Sequence, residues 1–282
     1  MVFILYGNIL ATHYRAVLIC AAEMGLLDTP SFETRHVDWK NLWAPRNDFD
    51  YDASPFKRIP WLEDTEAGIT LYESRAIVKY LAMNTGSSLL PNMNDPVEMA
   101  RFEVACSIEL GDFSVFTKPL LYELVQAPHV HQQPTNQILV ESYKRTLEKT
   151  FKGYEKILSR QPYLAGDKLT VVDLFHIPNA HWLWTVGDLP ELGDGTLLLP
   201  NQEKVNSDGT LPIPEEQRDG TLPFPKEEAD GNLPVPQGVY LPHLQAWWAR
   251  LIQRESVKKI NAEFDKGLKE AEEARKNKPP TQ

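Results

Sequence analysis

The sequence predicts a mixed α/β domain followed by an all-helical one, and three observations carry that expectation. Over roughly the first 80 residues, short apolar runs alternate with helical patterns. A stretch rich in Gly, Ser, Asn and Pro follows at 84–96. From Val97 onward, every strong periodicity is helical.

Val2–Tyr6 is an apolar run suited to a buried strand. Thr12 to Gly25 shows helical spacing, with Val17, Leu18, Ala21 and Met24 on one side and Gly25 as a stop. Phe32–Val37 fits a second strand, Trp61–Leu62 and Ile69–Leu71 a hairpin, and Ser74–Leu81 a helix behind it. The order βαβ then ββα implies a thioredoxin-like sheet with one parallel crossover and one antiparallel hairpin. Helical patterns then cover Glu98–Gln126, Gln137–Arg160, Val171–Trp184 and Leu244–Asn261. The expected units are therefore residues 1–83, a linker at 84–96, and a helical domain at 97–265 that carries an insertion at 187–240. The polar stretch 266–282 reads as a frayed helix followed by disorder. Thr170 and Asp173 have the spacing of a capping box, which marks a helix start and is worth about 1 kcal/mol.

Composition excludes several functions. A net charge of −10 argues against nucleic acid as a partner. No apolar run approaches the ~18 residues of a membrane span, and Met1–Leu10 lacks the basic region of a targeting segment. Cys20 and Cys106 are too few for a disulfide framework and show no metal-ligand spacing, so a reducing cytoplasm and no metal are expected. The acidity is concentrated: residues 187–240 hold 11 Asp/Glu against 3 Lys/Arg. Four degenerate repeats lie there, beginning at Asp194, Asp208, Asp219 and Asp230, each an Asp-Gly turn, the last three followed by paired prolines. Such composition suits an acidic surface loop, or a flap whose apolar tips pack on the molecule.

The richest segment is Ser54–Ala82, SPFKRIPWLEDTEAGITLYESRAIVKYLA. Ile59-Pro60 is a candidate cis bond at a strand edge, where the chain can pair with a peptide-like ligand. Glu73 and Ser74 place a carboxylate, a hydroxyl and free backbone N–H groups at a helix start, suited to an α-amino and an α-carboxylate group. With LYG at Leu5–Gly7, LLYELVQAP at Leu120–Pro128, YLAGDKLTVVDLFHIPNAHW at Tyr163–Trp182 and LPHLQAWWARL at Leu241–Leu251, this series resembles the cytosolic glutathione transferases, most closely their phi-class branch of plants and fungi.

The resemblance implies the glutathione transferase fold, glutathione as co-substrate, a hydrophobic electrophile as second substrate, and a homodimer. It implies that Ile59 pairs through its backbone with the cysteinyl part, next to Pro60. Glu73 then meets the γ-glutamyl ammonium and Ser74 its carboxylate. Arg58 stands where relatives carry glutamine, and Arg46 is the candidate for the glycine carboxylate. Ile9, Leu10, Phe113, Phe116 and Leu120 are candidates for the apolar site, Phe113 and Phe116 sharing a face at i,i+3. The chain departs from the pattern at one place: the thiol-activating serine position is Ala11. Thr12, Asn8 and His13 are the replacement candidates, against a capping role for Thr12, a turn-forming role for Asn8 and, for His13, a lone helical histidine with no site role. Tyr6, Cys20, Cys106, His176 and His181 read as packing residues. Two functions follow. One is an enzyme that conjugates glutathione to hydrophobic electrophiles or reduces peroxides. The other is a catalytically weak binding or regulatory protein of the same fold, which Ala11 favours.

Overall fold

The computed structural model describes residues 2–37, 54–129, 131–187 and 241–276. Arg46, with the rest of the Trp39–Asp52 loop, the repeats within 188–240, and the chain beyond Lys276 lie outside these residues.

The N-terminal domain runs β1 (Phe3–Gly7), α1 (Thr12–Glu23), β2 (Phe32–His36), β3 (Trp61–Asp64), β4 (Ile69–Tyr72) and α2 (Ser74–Thr85). The sheet order is β2-β1-β3-β4, with β1–β2 parallel and the other pairs antiparallel. Leu5 and Leu62 face each other across β1–β3, both fully buried. Every residue of α1 from Tyr14 to Ala21 is buried, not one stripe of it. The reason is placement. The helix packs against α2 on its own domain and against three helices of the second, so it has no solvated face.

The second domain begins with α3 (Pro96–Ile108), capped by Asp95, whose carboxylate accepts from Val97 N–H at 2.8 Å and Glu98 N–H at 3.2 Å. The expected uniform helix over Glu98–Gln126 is interrupted twice. A π-helical turn at Glu109–Ser114 leads into α4 (Val115–Leu121), and a second at Tyr122–Gln126 leads into a last turn at Ala127–His129. Then come α5 (Gln137–Leu158), α6 (Val171–Phe175), α7 (Ile177–Gly187), α8 (Pro242–Ile252) and α9 (Glu255–Lys276). The helix expected over Val171–Trp184 is broken at His176, just before Pro178.

Two corrections concern the C-terminal end. The pattern at Leu244–Asn261 is two helices, parted at Gln253–Arg254, where the Arg254 guanidinium and the Ser256 hydroxyl both bind the Glu23 carboxylate. Nor does helix end in a frayed tail at Lys266. It continues to Lys276, and Gly267 lies so close to the β1–α1 turn that a Cβ there would sit 2.9 Å from Ile9 Cγ2.

The capping box at Thr170–Asp173 is present, and its carboxylate does more than cap. It accepts from Thr170 N–H (2.9 Å) and Oγ1 (3.0 Å), from Leu164 N–H (3.0 Å) and from Trp247 Nε1 (2.9 Å). Trp247 and Trp248 are buried in this core. His176 is structural as expected, held between Tyr154 Oη and the Val172 carbonyl at 2.9 Å each.

Candidate functional site

The site is built on the turn between β1 and α1. Gly7 is required there, because the Tyr14 ring occupies the space a Cβ would fill. Asn8 is 2 % exposed; its Nδ2 donates to the Val37 carbonyl and its Oδ1 accepts from Leu10 N–H, both at 3.0 Å. The amide thus ties the turn to the end of β2, which corrects Asn8 as a thiol donor. Ala11 is the N-cap of α1 and supplies no side-chain acceptor. Thr12 is the first helical residue, so its capping role also falls. The amides of the first turn have no acceptor within the helix and present partial positive charge.

The second wall comes from β3 and α2. Ile59-Pro60 is cis, with Ile59 half-buried and Pro60 buried at the head of β3. Glu73 adopts φ 67° and ψ 108° in an exposed position just before α2, a conformation that costs a non-glycine residue of order 1–3 kcal/mol. Strain of that kind is maintained by surroundings that fix it, and here it sits beside Ser74, which is 5 % exposed. Arg58 is exposed, its guanidinium 5.7 Å from the Phe56 ring.

Thr12, His13 and Ala16 of α1, Ser74 and Arg75 of α2, and Phe175, Pro178 and Asn179 of the α6–α7 junction line one small cleft between the domains. Thr12, His13 and Ser74, proposed from sequence, are therefore brought together. Arg75 and Asn179 were not anticipated. Arg75 grips the fully buried Glu109 in a bidentate pair (2.7 Å and 2.7 Å) and reaches Ser114 Oγ at 2.9 Å, joining α2 to the π-turn of the helical domain. Burial pushes the Glu109 carboxyl up, but the Arg75 hydrogen bond, His176 and Ser114 outweigh it and hold the group below its usual range. His13 moves the other way. Burial first, then the Lys118 and Arg75 charges, press it down to about 4. The imidazole is therefore neutral near pH 7, which removes an ionised His13 from the candidates and leaves a neutral donor or acceptor.

Behind the turn lies a group that sequence reasoning missed. Arg15 is completely buried; it donates to the Pro178 carbonyl at 2.7 Å, lies 3.0 Å from His181 Nδ1, and stacks its guanidinium 3.8 Å from the Phe264 ring centroid. Burial and the Arg15 charge press His181 down to about 3. The same latch is completed by Trp182 Nε1, which donates to the Leu10 carbonyl at 3.3 Å.

Of the apolar candidates, Ile9 and Leu10 are half-buried on the β1–α1 turn and Phe116 is half-buried on α4. Phe113 and Leu120 are corrected: both belong to the helical core, Phe113 lying 4.5 Å from the His176 ring and 6.4 Å from Phe151. The π-turn at Glu109–Ser114 removes the simple i,i+3 relation from which a shared face was inferred. Tyr6 is a packing residue as expected, stacked on Trp61 at 4.6 Å with its hydroxyl between Glu63 and Arg35. Cys20 is buried and its thiol is pushed up by burial; Cys106 is pushed up to about 11 by the same cause. Among the described residues no group of three or more His, Cys, Asp or Glu side chains is arranged to hold a metal ion.

Known proteins fit this geometry. The glutathione S-transferase N-terminal domain family matches residues 1–83, and the glutathione S-transferase C-terminal domain family matches residues 117–190. Glutathione S-transferase hmp2 of Hypomyces subiculosus is 36% identical over 190 residues, covering 66% of this chain and 85% of that protein. Glutathione S-transferase PM239X14 of Arabidopsis thaliana is 47% identical over 126 residues, 44% of this chain and 57% of that protein. Among solved structures, glutathione transferase F7 of Populus trichocarpa superposes with a TM-score of 0.67 at 25% identity, covering 93% of this chain and 99% of the other. With both domain families matched and a relative 36% identical over 85% of its length, the chain belongs to the glutathione S-transferase family.

Proposed function

We propose that this protein is an enzyme that binds glutathione as co-substrate and joins it through its sulfur to small hydrophobic electrophiles, with Thr12 and the α1 N-terminus holding the thiol as a thiolate. One observation carries the reading. The Thr12 and Ser74 hydroxyls, each at the start of a helix, line one cleft, and neither is engaged by a described protein group. Ile59 provides backbone N–H and C=O beside Pro60 for the cysteinyl part. Glu73 and Ser74 receive the γ-glutamyl end, and Arg58 with Arg46 offers charge to a carboxylate.

The mechanism follows from helix-terminus electrostatics. A thiol loses its proton more readily where free N–H groups and a hydroxyl donor face the sulfur. At Ala11 no side chain competes for those amides. The thiolate sulfur forms a bond to the electrophilic carbon, and the electron pair leaves with the departing group or is protonated after addition. Most of the affinity for glutathione serves both ground and transition states, while rate comes from ionising the thiol and orienting the partner. Reduction of a peroxide starts from the same thiolate: the sulfur takes one peroxide oxygen, the O–O bond breaks and the alcohol leaves, and a second glutathione converts the sulfenic acid to glutathione disulfide and water. Ile9, Leu10 and Phe116 form the apolar side.

We also infer a homodimer, supported by apolar side chains left exposed on both domains: Phe56 (56%) against Tyr72 in the first, Val104 (58%) and Leu110 (55%) in the second. A cytoplasmic location is consistent with two free cysteines, and no described helix is long and apolar enough to cross a membrane.

The test is the ultraviolet thiolate absorbance of bound glutathione against pH, for the native chain and Thr12→Ala. A bound thiol that ionises below neutral pH natively, and at least one unit higher in Thr12→Ala, supports the reading. Glutathione bound with an unperturbed thiol in both proteins would favour the binding-protein alternative, for which Ala11 is the specific observation. Turnover with an aryl halide separates the two independently.

A further inference from the structure

Largely buried polar side chains take their hydrogen bonds from protein groups or from ordered water. Asn179, in the first turn of α7, is 5 % exposed and lines the cleft; no described residue hydrogen-bonds its side-chain amide, which is not sealed off from that cleft. Ser74, equally buried, is in the same state, and so are the Thr12 hydroxyl and the His13 imidazole. Four polar groups from three helices and two domains thus converge on one cleft whose remaining walls include Ala16, Phe175 and Pro178. The free room within it is on the order of one water molecule. A polar cavity of that size with two to four partners is the setting in which a buried water is held.

We propose that Asn179 is a positioning residue for the thiol site, acting through one ordered water that it shares with Thr12 and Ser74. The Asn179 Nδ2–H donates to the water oxygen. The water donates its two protons to Thr12 Oγ1 and Ser74 Oγ, which leaves the single Thr12 O–H to point at the glutathione sulfur. A hydroxyl that accepts a hydrogen bond is a stronger donor in its turn. His13 is neutral and adds a ring nitrogen to the same cavity. The helical domain thereby sets the direction of a hydroxyl in the glutathione domain, without itself touching the sulfur. This rests on the reading of Thr12 as the thiolate donor.

The experiment is the pH titration of bound-glutathione thiolate absorbance in four proteins: native, Thr12→Ala, Asn179→Leu and the double variant. Leucine keeps the volume and removes only the hydrogen bonding. Asn179→Leu is expected to reduce the thiolate population at a pH near the native midpoint about three- to tenfold, and to add nothing in the Thr12→Ala background. If Thr12→Ala itself leaves the titration unmoved, the Thr12 reading is at fault. If Thr12→Ala shifts it and Asn179→Leu does not, or if the two shifts simply add, Asn179 is a structural residue and the proposal is overturned. Should leucine prevent folding, Asn179→Ala enlarges the cleft and carries the same comparison by the same criteria.

Discussion

Asp173→Ala removes one carboxylate and strands donors from three parts of the helical domain. Thr170 N–H, Leu164 N–H and Trp247 Nε1 all lose their acceptor, while the Thr170 hydroxyl is free to rotate. All of this lies in the core, and each stranded donor costs about 1–3 kcal/mol, so the variant is expected to lose about 4 kcal/mol. Asp173→Asn keeps an oxygen for two of the donors and turns an N–H toward Thr170, for about 2 kcal/mol. A helix cap acting alone is worth only about 1 kcal/mol. Urea denaturation at one fixed protein concentration measures the difference, since association contributes to stability in a dimer. In a Trp247→Phe background the Asp173→Ala penalty should shrink by about 1 kcal/mol, because one donor is already gone. A loss near 1 kcal/mol for Asp173→Ala, or equal losses for Ala and Asn, would refute the reasoning and reduce the residue to its cap.

Other outcomes follow from the same structure. Glu109→Gln breaks a buried ion pair and should cost about 3–5 kcal/mol in denaturant, because Arg75 keeps its charge without its partner. Glu109 is held below its unfolded pKa, so its contribution is present above the ordinary carboxylate range and is lost as pH falls through the lowered value. Two half-buried histidines add an earlier loss. His13 and His181 titrate at about 4 and about 3 when folded against 6.5 unfolded, so the unfolded chain binds protons that the folded one refuses. Stability measured between pH 7 and 4 should therefore fall as pH drops below 6.5; a flat profile would contradict their burial. Cys20 should resist maleimide at pH 7 until the chain unfolds, since its thiol is buried and raised in pKa.

The parts of this fold legible in sequence are those written in local signals. The strand–helix order, the cis Ile59-Pro60 bond, the Glu73-Ser74 helix start and the Thr170–Asp173 box each depend on a few adjacent residues. What escaped depends on partners far along the chain. The π-turns follow no simple periodicity, so helical spacing places Phe113 on a cleft whereas it faces His176. Arg15 reads in sequence as a polar-face residue of an amphipathic helix. Only the presence of α7 and α9 on that face explains a wholly buried guanidinium. In α9, charged residues dominate after Lys266 and mimic a disordered tail, whereas Gly267 shows the backbone pressed against Ile9. Asn179 carried no signal in sequence because nothing distinguishes an amide that faces a cavity from one that faces solvent.

The Arg15 latch also sets an order of events during synthesis. The turn that holds Thr12 is made within the first dozen residues, but its backing comes from His181, Trp182 and Phe264, and the last of these follows it by some 250 positions. A ribosome releasing this chain leaves the proposed thiol site half-built for most of elongation, with a charged Arg15 still in water. The turn gains its backing only when α9 emerges and closes on α1, so a chain cut short before Phe264 would carry every residue proposed to touch glutathione and still lack the packing behind them.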